Sequence, residues 1–563
     1  MAASVLTPNI IWSKFKIEEK INEKIIEEHI TENLIVSNMF IDGRQIGDER
    51  VKIFATKIKR VDSGVAPAVI IAQKYIDGSD ISFAKTVAKN GYTAFLVNLG
   101  GFKEGEEHYT EYPLQVEYAN YSKERAEVIE TEVSVINTCF YEWACVMLYA
   151  YAYLKSDALV SKIGAIAIDE YANALWQSSC VAEFDCAVIV GNSGRRAYRG
   201  INKFSDAPEK TLTDNEVRFI AGIDSQSYAT HVKCPLLLLA PTNSPMYDVD
   251  RAYDTLSAIP KTIYRAINYS VGNRFTVDYK SFNDAMIFFD EFLKLGKAEE
   301  VNLPKEVGIK ADISDGKILI EVSPDVEQLK KLRVFCGEDT EEAKLRMWQV
   351  VSHMIKSDDG KYRFGYRPYK NSSKVMLFAR AEYDSGFRIC SNIICKKFSK
   401  EEIAGNHRFK VLYTSKIQDG KRFFAPLVEN EHKPTGIDTD KDCPSVCEKK
   451  GPFDIIGLSA RGGLLTFKIG AEKYRPNDDE MLMLDAVVKG GGDLKITLAT
   501  DFFTNKQSYS ADIKIIDGVW QNVKLSVGDF KTSGGVSLKS YSKIDAIEIT
   551  SEKEFIVNNI LWI

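Results

Sequence analysis

Histidine and cysteine are scarce in this sequence of 563 residues, which contains six of the former and ten of the latter. The histidines are His29, His108, His231, His353, His407 and His432. Only His231 therefore lies between residues 109 and 352. Ten cysteines in so long a chain do not indicate a disulfide-stabilised secreted fold. Cys145, Cys186 and Cys234 occur in apolar segments, where reduced thiols behave as small hydrophobic side chains. We expect a cytoplasmic protein.

Long hydrophobic runs and an excess of basic charge are also missing. The longest apolar run, Cys145–Leu154, is about half as long as a membrane-spanning helix. Residues 1–8 show no basic region followed by an apolar stretch, so we expect no secretory signal. With 73 Lys and Arg against 79 Asp and Glu, the net charge is -6, which disfavours binding through neutralised phosphates. We expect neither a membrane segment nor a nucleic-acid partner.

The sequence is rich in residues that build hydrophobic cores. Hydrophobic residues make up 45% of it, with 29 Phe and 26 Tyr. At about 150 residues per domain, the length corresponds to roughly four domain-sized units. Residues 1–50 are expected to form a helical entry segment, because Ile17, Ile21 and Ile25 recur every four residues among charges within residues 14–33.

Residues 1–298 are predicted to form an α/β domain with a doubly wound, mainly parallel sheet. Short apolar segments rich in β-branched residues alternate there with helical segments. The predicted strands cover residues 51–58, 67–75, 92–98, 163–168, 186–190 and 234–240. Strands that are apolar along their whole length indicate a sheet covered on both faces.

Two all-β sandwich modules are predicted after residue 298. Residues 299–400 resemble an immunoglobulin-like sandwich, and residues 401–563 are expected to form a jelly roll. The segment Asp517–Lys531 resembles galactose-binding-like jelly rolls and carbohydrate-binding modules. That resemblance supports the jelly-roll fold more than a sugar ligand, because sugar binding would need exposed aromatic side chains with polar groups around them. The candidates are Tyr474, Phe502, Phe503, Tyr509 and Tyr541.

Residues 141–179 resemble the α/β-hydrolase superfamily, particularly bacterial esterases of the dienelactone-hydrolase and acetyl-xylan-esterase type. In those enzymes a helix ending in Tyr-Leu precedes an apolar strand and a Gly-x-Ser-x-Gly turn that carries the nucleophile. The matching stretch here has Asp169 in place of the serine, and Ala167 and Tyr171 in place of the glycines.

Two further segments match the superfamily, and each lacks the expected catalytic residue. Residues 220–258 resemble the strand and loop that supply the acid, but Ser244 stands at the acid position. Asp248 and Asp250 follow and are interpreted as turn and helix-cap residues. Residues 264–275 match the histidine loop, and Asn273 stands where the histidine belongs.

Serine, histidine and acid act as a unit, because the imidazole takes the proton of the nucleophile and the acid orients the imidazole. The resemblance therefore implies a catalytically degenerate hydrolase homologue that acts as a binding, scaffold or interaction protein. Its ligand would be a small molecule or saccharide, or its partner a protein, with Glu170, Tyr171, Tyr247 and Arg274 on the pocket rim. The alternative is an active hydrolase of esters or amides that uses non-standard residues around Asp169. Superfamily members with an aspartate nucleophile still need a histidine-activated water.

Other reactive residues have simpler interpretations. Cys180, Cys186, Ser178 and Ser179 follow the Asp169 turn, but no base lies near them in the sequence, so we expect structural roles. The segment 436–447, together with His432, offers Cys443 and Cys447 as zinc ligands, although a second ligand pair at zinc-ribbon spacing is lacking. We predict no cofactor and no metal.

Overall fold

The structure is a computed structural model. It describes residues 5–563 except 18–19, 74–80, 103, 123–130, 132–133, 199, 207–209, 273–276, 296–301, 352–354, 358, 370–371, 404–409, 416–422, 424–445 and 461. Within that described part, no helix combines the length and the apolar character needed to cross a membrane.

The N-terminal half is built on one sheet of nine strands. The strands are β1 (Glu23–Thr31), β2 (Leu34–Ile46), β3 (Glu49–Arg60), β4 (Ala66–Ala72), β5 (Thr93–Val97), β6 (Val160–Ile168), β7 (Cys186–Val190), β8 (Leu236–Pro241) and β9 (Arg265–Ser270). Their spatial order is β1-β2-β3-β5-β4-β6-β7-β8-β9. The pairs from β5 to β9 are parallel, whereas β1, β2 and β3 are joined by antiparallel pairing. The predicted parallel sheet is thus present, with an antiparallel edge.

Helices cover both faces of this sheet. They are α1 (Pro8–Trp12), α2 (Ser82–Lys89), α3 (Cys139–Ser156), α4 (Ala172–Ser178), α5 (Asp214–Gly222), α6 (Ser225–Tyr228), α7 (Ala252–Leu256) and α8 (Tyr279–Phe289). Trp143 of α3 and Trp176 of α4 pack in the core on one face. Phe83 of α2 and Phe288 of α8 pack in the core on the other. Because both faces are covered, strands such as β7 are buried along their whole length.

The helical entry segment predicted for residues 1–50 is wrong for most of the described residues there, since only Pro8–Trp12 is helical and β2 covers Leu34–Ile46. The helix predicted over residues 14–33 is replaced by strand β1 at residues 23–31. This strand pairs with β2 alone and is largely exposed. The residues of β1 do not alternate between buried and exposed positions as in a half-buried strand. The spacing of four between Ile17, Ile21 and Ile25 therefore indicated a helix. The pairing with β2 decides the conformation.

The C-terminal half consists of antiparallel sheets. Its strands are β10 (Gly308–Ser314), β11 (Lys317–Ser323), β12 (Leu329–Glu338), β13 (Gln349–Val351), β14 (Ile355–Lys356), β15 (Tyr362–Tyr366), β16 (Lys374–Tyr383), β17 (Arg388–Cys390), β18 (Ile394–Lys397), β19 (Val411–Tyr413), β20 (Val446–Lys450), β21 (Ile456–Ala460), β22 (Leu464–Thr466), β23 (Leu482–Val488), β24 (Gly492–Thr500), β25 (Gln507–Ile515), β26 (Gln521–Leu525), β27 (Ala546–Thr550) and β28 (Phe555–Trp562). Sheets β10-β11-β15-β14 and β13-β12-β16-β17, the latter with β18 on β16, lie within residues 308–397. Sheets β20-β21-β28-β23-β26, with β19 on β28, and β22-β27-β24-β25 lie within residues 411–562.

Buried ion pairs connect the three parts of the chain. Asp250 of the α/β part pairs with Arg346, and Asp284 of α8 pairs with Arg388 of β17. Glu338 of β12 lies 3.5 Å from Lys473 of the last module, with both side chains almost fully buried. Apolar residues also cross the first boundary, since Phe378 of β16 packs against Tyr269 of β9. These contacts are buried interactions between parts of the chain that are far apart in sequence.

Candidate functional site

The candidate site lies where the parallel strands of the sheet end. Carboxyl ends of parallel strands meet at one edge, and ligands of open α/β sheets bind there. The segments that follow β6, β7 and β8 begin at Asp169, Gly191 and Thr242. The first of these segments begins with Asp169, the position that the sequence analysis identified, and the other two lie beside it.

Asp169 lies in a strained turn. It directly follows β6 and has φ of 54°, a left-handed conformation that is uncommon for residues other than glycine. A short helical turn, Asp169–Tyr171, then leads into α4. A sharp strand–turn–helix connection of this kind lifts a side chain above the sheet, as in a nucleophile elbow. We call Asp169–Tyr171 the elbow.

The backbone of the segment after β7 lies against the elbow. Gly191 has φ of 87°, and a Cβ atom built there would lie 3.1 Å from Oδ1 of Asp169. The same atom would lie 3.3 Å from the ring of Tyr247. Glycine at position 191 therefore allows both the Asp169 carboxylate and the Tyr247 ring to approach the backbone closely.

Ser244, at the position of the triad acid, is a turn residue. Its hydroxyl accepts hydrogen bonds from the backbone N–H groups of Met246 at 3.1 Å and Tyr247 at 3.3 Å. These bonds fix the turn that directs Tyr247 towards the elbow. The position thus contributes to the shape of the site and supplies no charge.

Tyr247 is buried beside the acidic residues of the elbow. Burial, reinforced by the nearby carboxylates of Glu170 and Asp169, raises the pKa of Tyr247 well above its ordinary value. Its hydroxyl forms no hydrogen bond with any residue that the structure describes. The neutral Tyr247 hydroxyl is therefore a hydrogen-bond donor that has no acceptor among the described residues.

Glu170 and Tyr171 occupy different surroundings. Glu170 is buried and accepts a hydrogen bond from the Tyr121 hydroxyl at 3.3 Å. Tyr171 packs edge-on against Trp143, with ring centroids 4.8 Å apart, and belongs to the hydrophobic core. A Cβ on Gly100 would overlap the Tyr171 hydroxyl, so Tyr171 fills the space beneath the loop after β5. The structure places Tyr171 in the core rather than on a pocket rim.

The sequence analysis did not identify the segment after β7, Gly191–Arg196, as part of the site. Gly191, Gly194 and Arg195 all have positive φ. The buried carboxylate of Asp224 accepts the backbone N–H groups of Arg195 and Arg196, each at 3.1 Å. The signal that could have revealed this turn is the pair of glycines directly after a buried parallel strand.

Arg196 brings a positive charge to the acidic elbow. Its side chain is 7% exposed, and its guanidinium lies 5.6 Å from the ring centroid of Phe140. Its Nη1 atom forms no hydrogen bond with a described residue. The positive charge of Arg196 opposes the effect of Asp169 and Glu170 on the pKa of Tyr247. The site therefore combines two carboxylates with two buried donors.

The segment after β8 is covered by the neighbouring all-β module. Nδ2 of Asn243 donates to the backbone oxygens of Ala343, Lys344 and Arg346, at 3.3, 3.2 and 2.8 Å. Asp248 caps the following helical turn by accepting the N–H of Asp250 at 3.0 Å, as expected. Asp250 itself faces Arg346 rather than the elbow.

None of the three described histidines contacts the elbow. His29 belongs to the exposed strand β1, and His108 packs near Phe40 and Phe54. His231 precedes β8, at the opposite edge of the sheet from Asp169. Asn273 and Arg274 lie outside the described residues.

The alternative nucleophiles are engaged in local packing. The hydroxyls of Ser178 and Ser179 donate to the Leu175 oxygen at 3.3 and 2.6 Å. The Cys180 thiol contacts the backbone oxygens of Trp176 and Tyr228, and burial raises its pKa. Cys186 is fully buried in β7, where burial raises its pKa as well. These groups are protonated and structural.

The other sequence candidates lie elsewhere. His432 and Cys443 fall outside the described residues, and within those no group of three or more His, Cys, Asp or Glu is arranged to hold a metal ion. Of the aromatic residues considered for saccharide binding, Tyr474 and Tyr541 are buried in the core of the last module. Phe502 and Phe503 pack against Phe467. The buried Tyr474 and Tyr541 offer no open platform to a sugar, whereas Phe502, Phe503 and Tyr509 are half-buried.

Comparison with known proteins gives structural matches only. No protein-family model matches the chain, and no curated protein matches it. An acetyl xylan esterase from a Paenibacillus species is similar at 10% identity, over 51% of this chain and 92% of its own, with a TM-score of 0.37. Acetyl xylan esterase 1 from a Thermoanaerobacterium species is similar at 13% identity, over 50% and 90%, with a TM-score of 0.36.

A putative dienelactone hydrolase from Klebsiella pneumoniae is similar at 12% identity, over 42% of this chain and 85% of its own, with a TM-score of 0.27. The structural neighbours are thus esterases and a dienelactone hydrolase, and they match about half of the chain. The strand order and the elbow after β6 are consistent with an α/β-hydrolase fold.

Proposed function

We propose that this chain is a binding protein built on a hydrolase-like α/β domain whose elbow no longer performs acyl transfer. One observation carries the proposal: Asp169 stands at the elbow with Tyr247 packed beside it, and the segment that matches the histidine loop contains no histidine.

The chemistry of acyl transfer supports this proposal. A triad needs an imidazole to take the proton of the nucleophile and to return it to the leaving group. A carboxylate can attack an acyl carbon without a base, which expels the leaving group and forms a mixed anhydride on the carboxylate. Turnover then needs an activated water to release the acyl group. With Asp169 at the elbow and Ser244 in a turn, neither proton transfer nor release has a group to perform it.

The polar groups at the site suit a small ligand that both donates and accepts hydrogen bonds. The carboxylates of Asp169 and Glu170 can accept hydrogen bonds from a ligand, whereas the Tyr247 hydroxyl and Nη1 of Arg196 can donate hydrogen bonds to it. A buried donor without a partner costs about 1–3 kcal/mol. A ligand that accepts from these two donors would offset that cost. Hydroxyl-bearing molecules such as saccharides, and small acids, have this combination of groups.

Thermal-shift measurements on the full chain test this function. The probes are glucose, xylose, galactose, acetate and succinate, because a ligand selective for the folded state raises its stability. We expect at least one probe to raise the melting temperature of the wild type. Tyr247→Phe and Arg196→Gln should abolish that shift, whereas the control Lys233→Gln, on the exposed loop before β8, should retain it. A shift that all three variants retain would contradict binding at the elbow.

A second candidate function is hydrolysis of an ester or amide through Asp169, the kind of reaction that the names of the similar structures describe. The observation that favours it is the position of Asp169, in a left-handed turn directly after β6 and before α4, where a nucleophile elbow carries its nucleophile. Turnover that is lost in Asp169→Asn would support this candidate over the first.

We also propose that the chain could bind a protein partner as a scaffold, and this proposal is based on the buried contacts between the parts of the chain. The buried pairs Asp250–Arg346, Asp284–Arg388 and Glu338–Lys473 connect the three parts of the chain. A scaffold presents its surfaces in a fixed arrangement, and these pairs support one.

A further inference from the structure

A second concave surface lies on the C-terminal module, remote in sequence from the elbow. It is a groove with a volume of about 910 Å³ along β25 and the segment 524–535. Four lysines line it: Lys495, Lys506, Lys524 and Lys531. We call it the lysine groove. Its volume falls in the range of sites that hold small molecules.

The lysine groove carries unbalanced positive charge. Lys506 pairs with Glu548 at 2.9 Å. Lys495, Lys524 and Lys531 are exposed, and none of them forms an ion pair with a residue in the described part of the chain. Three ammonium groups in one groove repel one another, so an anion bound among them would be favoured.

The two carboxylates in the groove, Asp512 and Asp529, offset only part of the lysine charge. Asp529 accepts hydrogen bonds from the backbone N–H and the hydroxyl of Ser526, both at 2.7 Å, and so closes a turn. Asp512 lies opposite Lys495 in the register of β24 and β25 and forms no ion pair with a described residue. The groove is therefore lined by four lysines and two aspartates, and Lys506 is also paired with Glu548, so a small net positive charge remains.

The lysines are spread along the groove rather than gathered at one point. Residues 506–512 of the β25 region span about 20 Å in extended conformation. Lys506 lies at one end of this stretch, and Lys495 is paired with Asp512 at the other. Lys531 is bridged to Ser510 between them, with the Ser510 N–H 2.7 Å from the Lys531 oxygen. This spacing suits a linear molecule with repeated negative charges better than a single ion.

The remaining lining residues define the chemistry further. Ser508, Ser510, Thr532 and Ser533 supply hydroxyl groups. Neither an aromatic ring nor an arginine is among the described residues that line the groove. Nucleic-acid bases and neutral sugars would lack a stacking surface, and an anionic group would contact ammonium point charges rather than a bidentate guanidinium. A ligand fits this lining if its carboxylates contact the lysine ammonium groups and its hydroxyls contact the serine and threonine hydroxyls.

We propose that the lysine groove binds an acidic oligosaccharide that carries a carboxylate on successive sugar units. The lysines bind the carboxylates, and the serine and threonine hydroxyls bind the sugar hydroxyls. This site is independent of the elbow, and the two can be tested separately.

Calorimetric titration of the full chain with short oligogalacturonides tests the proposal. We expect binding that weakens with salt, because the lysines are exposed. The triple variant Lys495→Gln, Lys524→Gln, Lys531→Gln should weaken it about tenfold or more, because three charged contacts are lost together. The fully methyl-esterified oligosaccharide keeps the backbone without the charge and should not bind.

A matched triple variant tests whether binding depends on the lysines of the groove or only on the positive charge of the module. Lys514→Gln, Lys539→Gln, Lys543→Gln removes three exposed lysines of the same module that lie outside the groove, and it should bind as the wild type does. Equal weakening in both triple variants, or no binding by the wild type, would overturn the proposal. Heparin oligosaccharides or inorganic phosphate that bound the groove as tightly would also overturn it, because they lack the pattern of successive carboxylates. None of these variants touches the elbow, so elbow binding should persist in all of them.

Discussion

Asp250 and Arg346 form a bidentate ion pair that is closed to solvent. Nη1 of Arg346 lies 2.6 Å from Oδ1 of Asp250, and Nη2 lies 2.8 Å from Oδ2. Arg346 also donates to the backbone oxygens of Thr340 and Glu341, each at 2.9 Å. Asp250 follows the position matched to the triad acid by six residues. The pair therefore fastens an all-β module to the segment that flanks the elbow.

Removing one member of this pair should destabilise the protein strongly. Arg346→Met leaves the Asp250 carboxylate buried without its partner, and we expect a loss of about 3–5 kcal/mol. The double variant Asp250→Leu, Arg346→Met should recover much of that loss, because it buries no charge. Chemical denaturation followed by tryptophan fluorescence measures both. The exposed pair Arg60–Asp62 is the control, and Arg60→Met should have no measurable effect. A double variant as unstable as the single one would contradict this account.

Asp224 should make stability depend on pH. Burial raises its pKa to about 6, against the opposing effects of Arg196 and the backbone N–H groups it accepts. The native state thus binds a proton more tightly than the unfolded state. The resulting stabilisation is complete below about pH 4 and is lost as pH rises through about 6. We expect a decrease of roughly 3 kcal/mol from this group.

Comparison with Asp224→Asn isolates that contribution. The difference in unfolding free energy between the wild type and Asp224→Asn should change between about pH 4 and pH 7, in the direction that disfavours the wild type at the higher pH. A difference that is constant across this range would show that Asp224 has no raised pKa.

Gly191→Ala tests the close approach at the elbow. The substitution places a Cβ 3.1 Å from Oδ1 of Asp169 at a φ of 87°. Gly200 has a φ of 85° and no atom near its Cβ position, so Gly200→Ala has the same backbone cost without the contact. That backbone cost is about 1–2 kcal/mol. We expect Gly191→Ala to lower the thermal unfolding midpoint further than Gly200→Ala does. Equal effects would mean that Asp169 and Tyr247 move aside freely.

Tyr247→Phe should not destabilise the ligand-free protein, because the hydroxyl it removes has no partner among the described residues. The control is Tyr112→Phe, since the Tyr112 hydroxyl donates to the Leu99 oxygen at 2.7 Å. The control should lose about 1 kcal/mol. The unfolding free energies of the two variants test this difference. A loss in Tyr247→Phe as large as in the control would mean that its hydroxyl is bonded.

The parallel strands could be predicted from the sequence because each is apolar along its whole length. The predicted strands at 163–168 and 186–190 correspond to β6 and β7. Because both faces of these predicted segments are buried, they contain no polar residue, and this apolar run can be recognised without knowing which strands pair with them. Strand β1 has the opposite character, and its mostly exposed residues gave no such signal.

The candidate site could be predicted only in part. The position of Asp169 follows from the residues before and after it, because the elbow is a local feature. Arg196 and the Asp250–Arg346 pair depend on contacts between segments far apart in the sequence. No local pattern encodes such contacts, since they arise only when the sheet and the neighbouring module are assembled.

The most direct test of the central claim is hydrolysis of short-chain p-nitrophenyl esters by the purified full chain and by Asp169→Asn. An elbow without an imidazole should give the wild type no sustained turnover above that of the variant, and no more than one p-nitrophenolate released per chain, with the acyl group left on the protein. Sustained turnover by the wild type that disappears in Asp169→Asn would contradict the account and identify the chain as an active hydrolase.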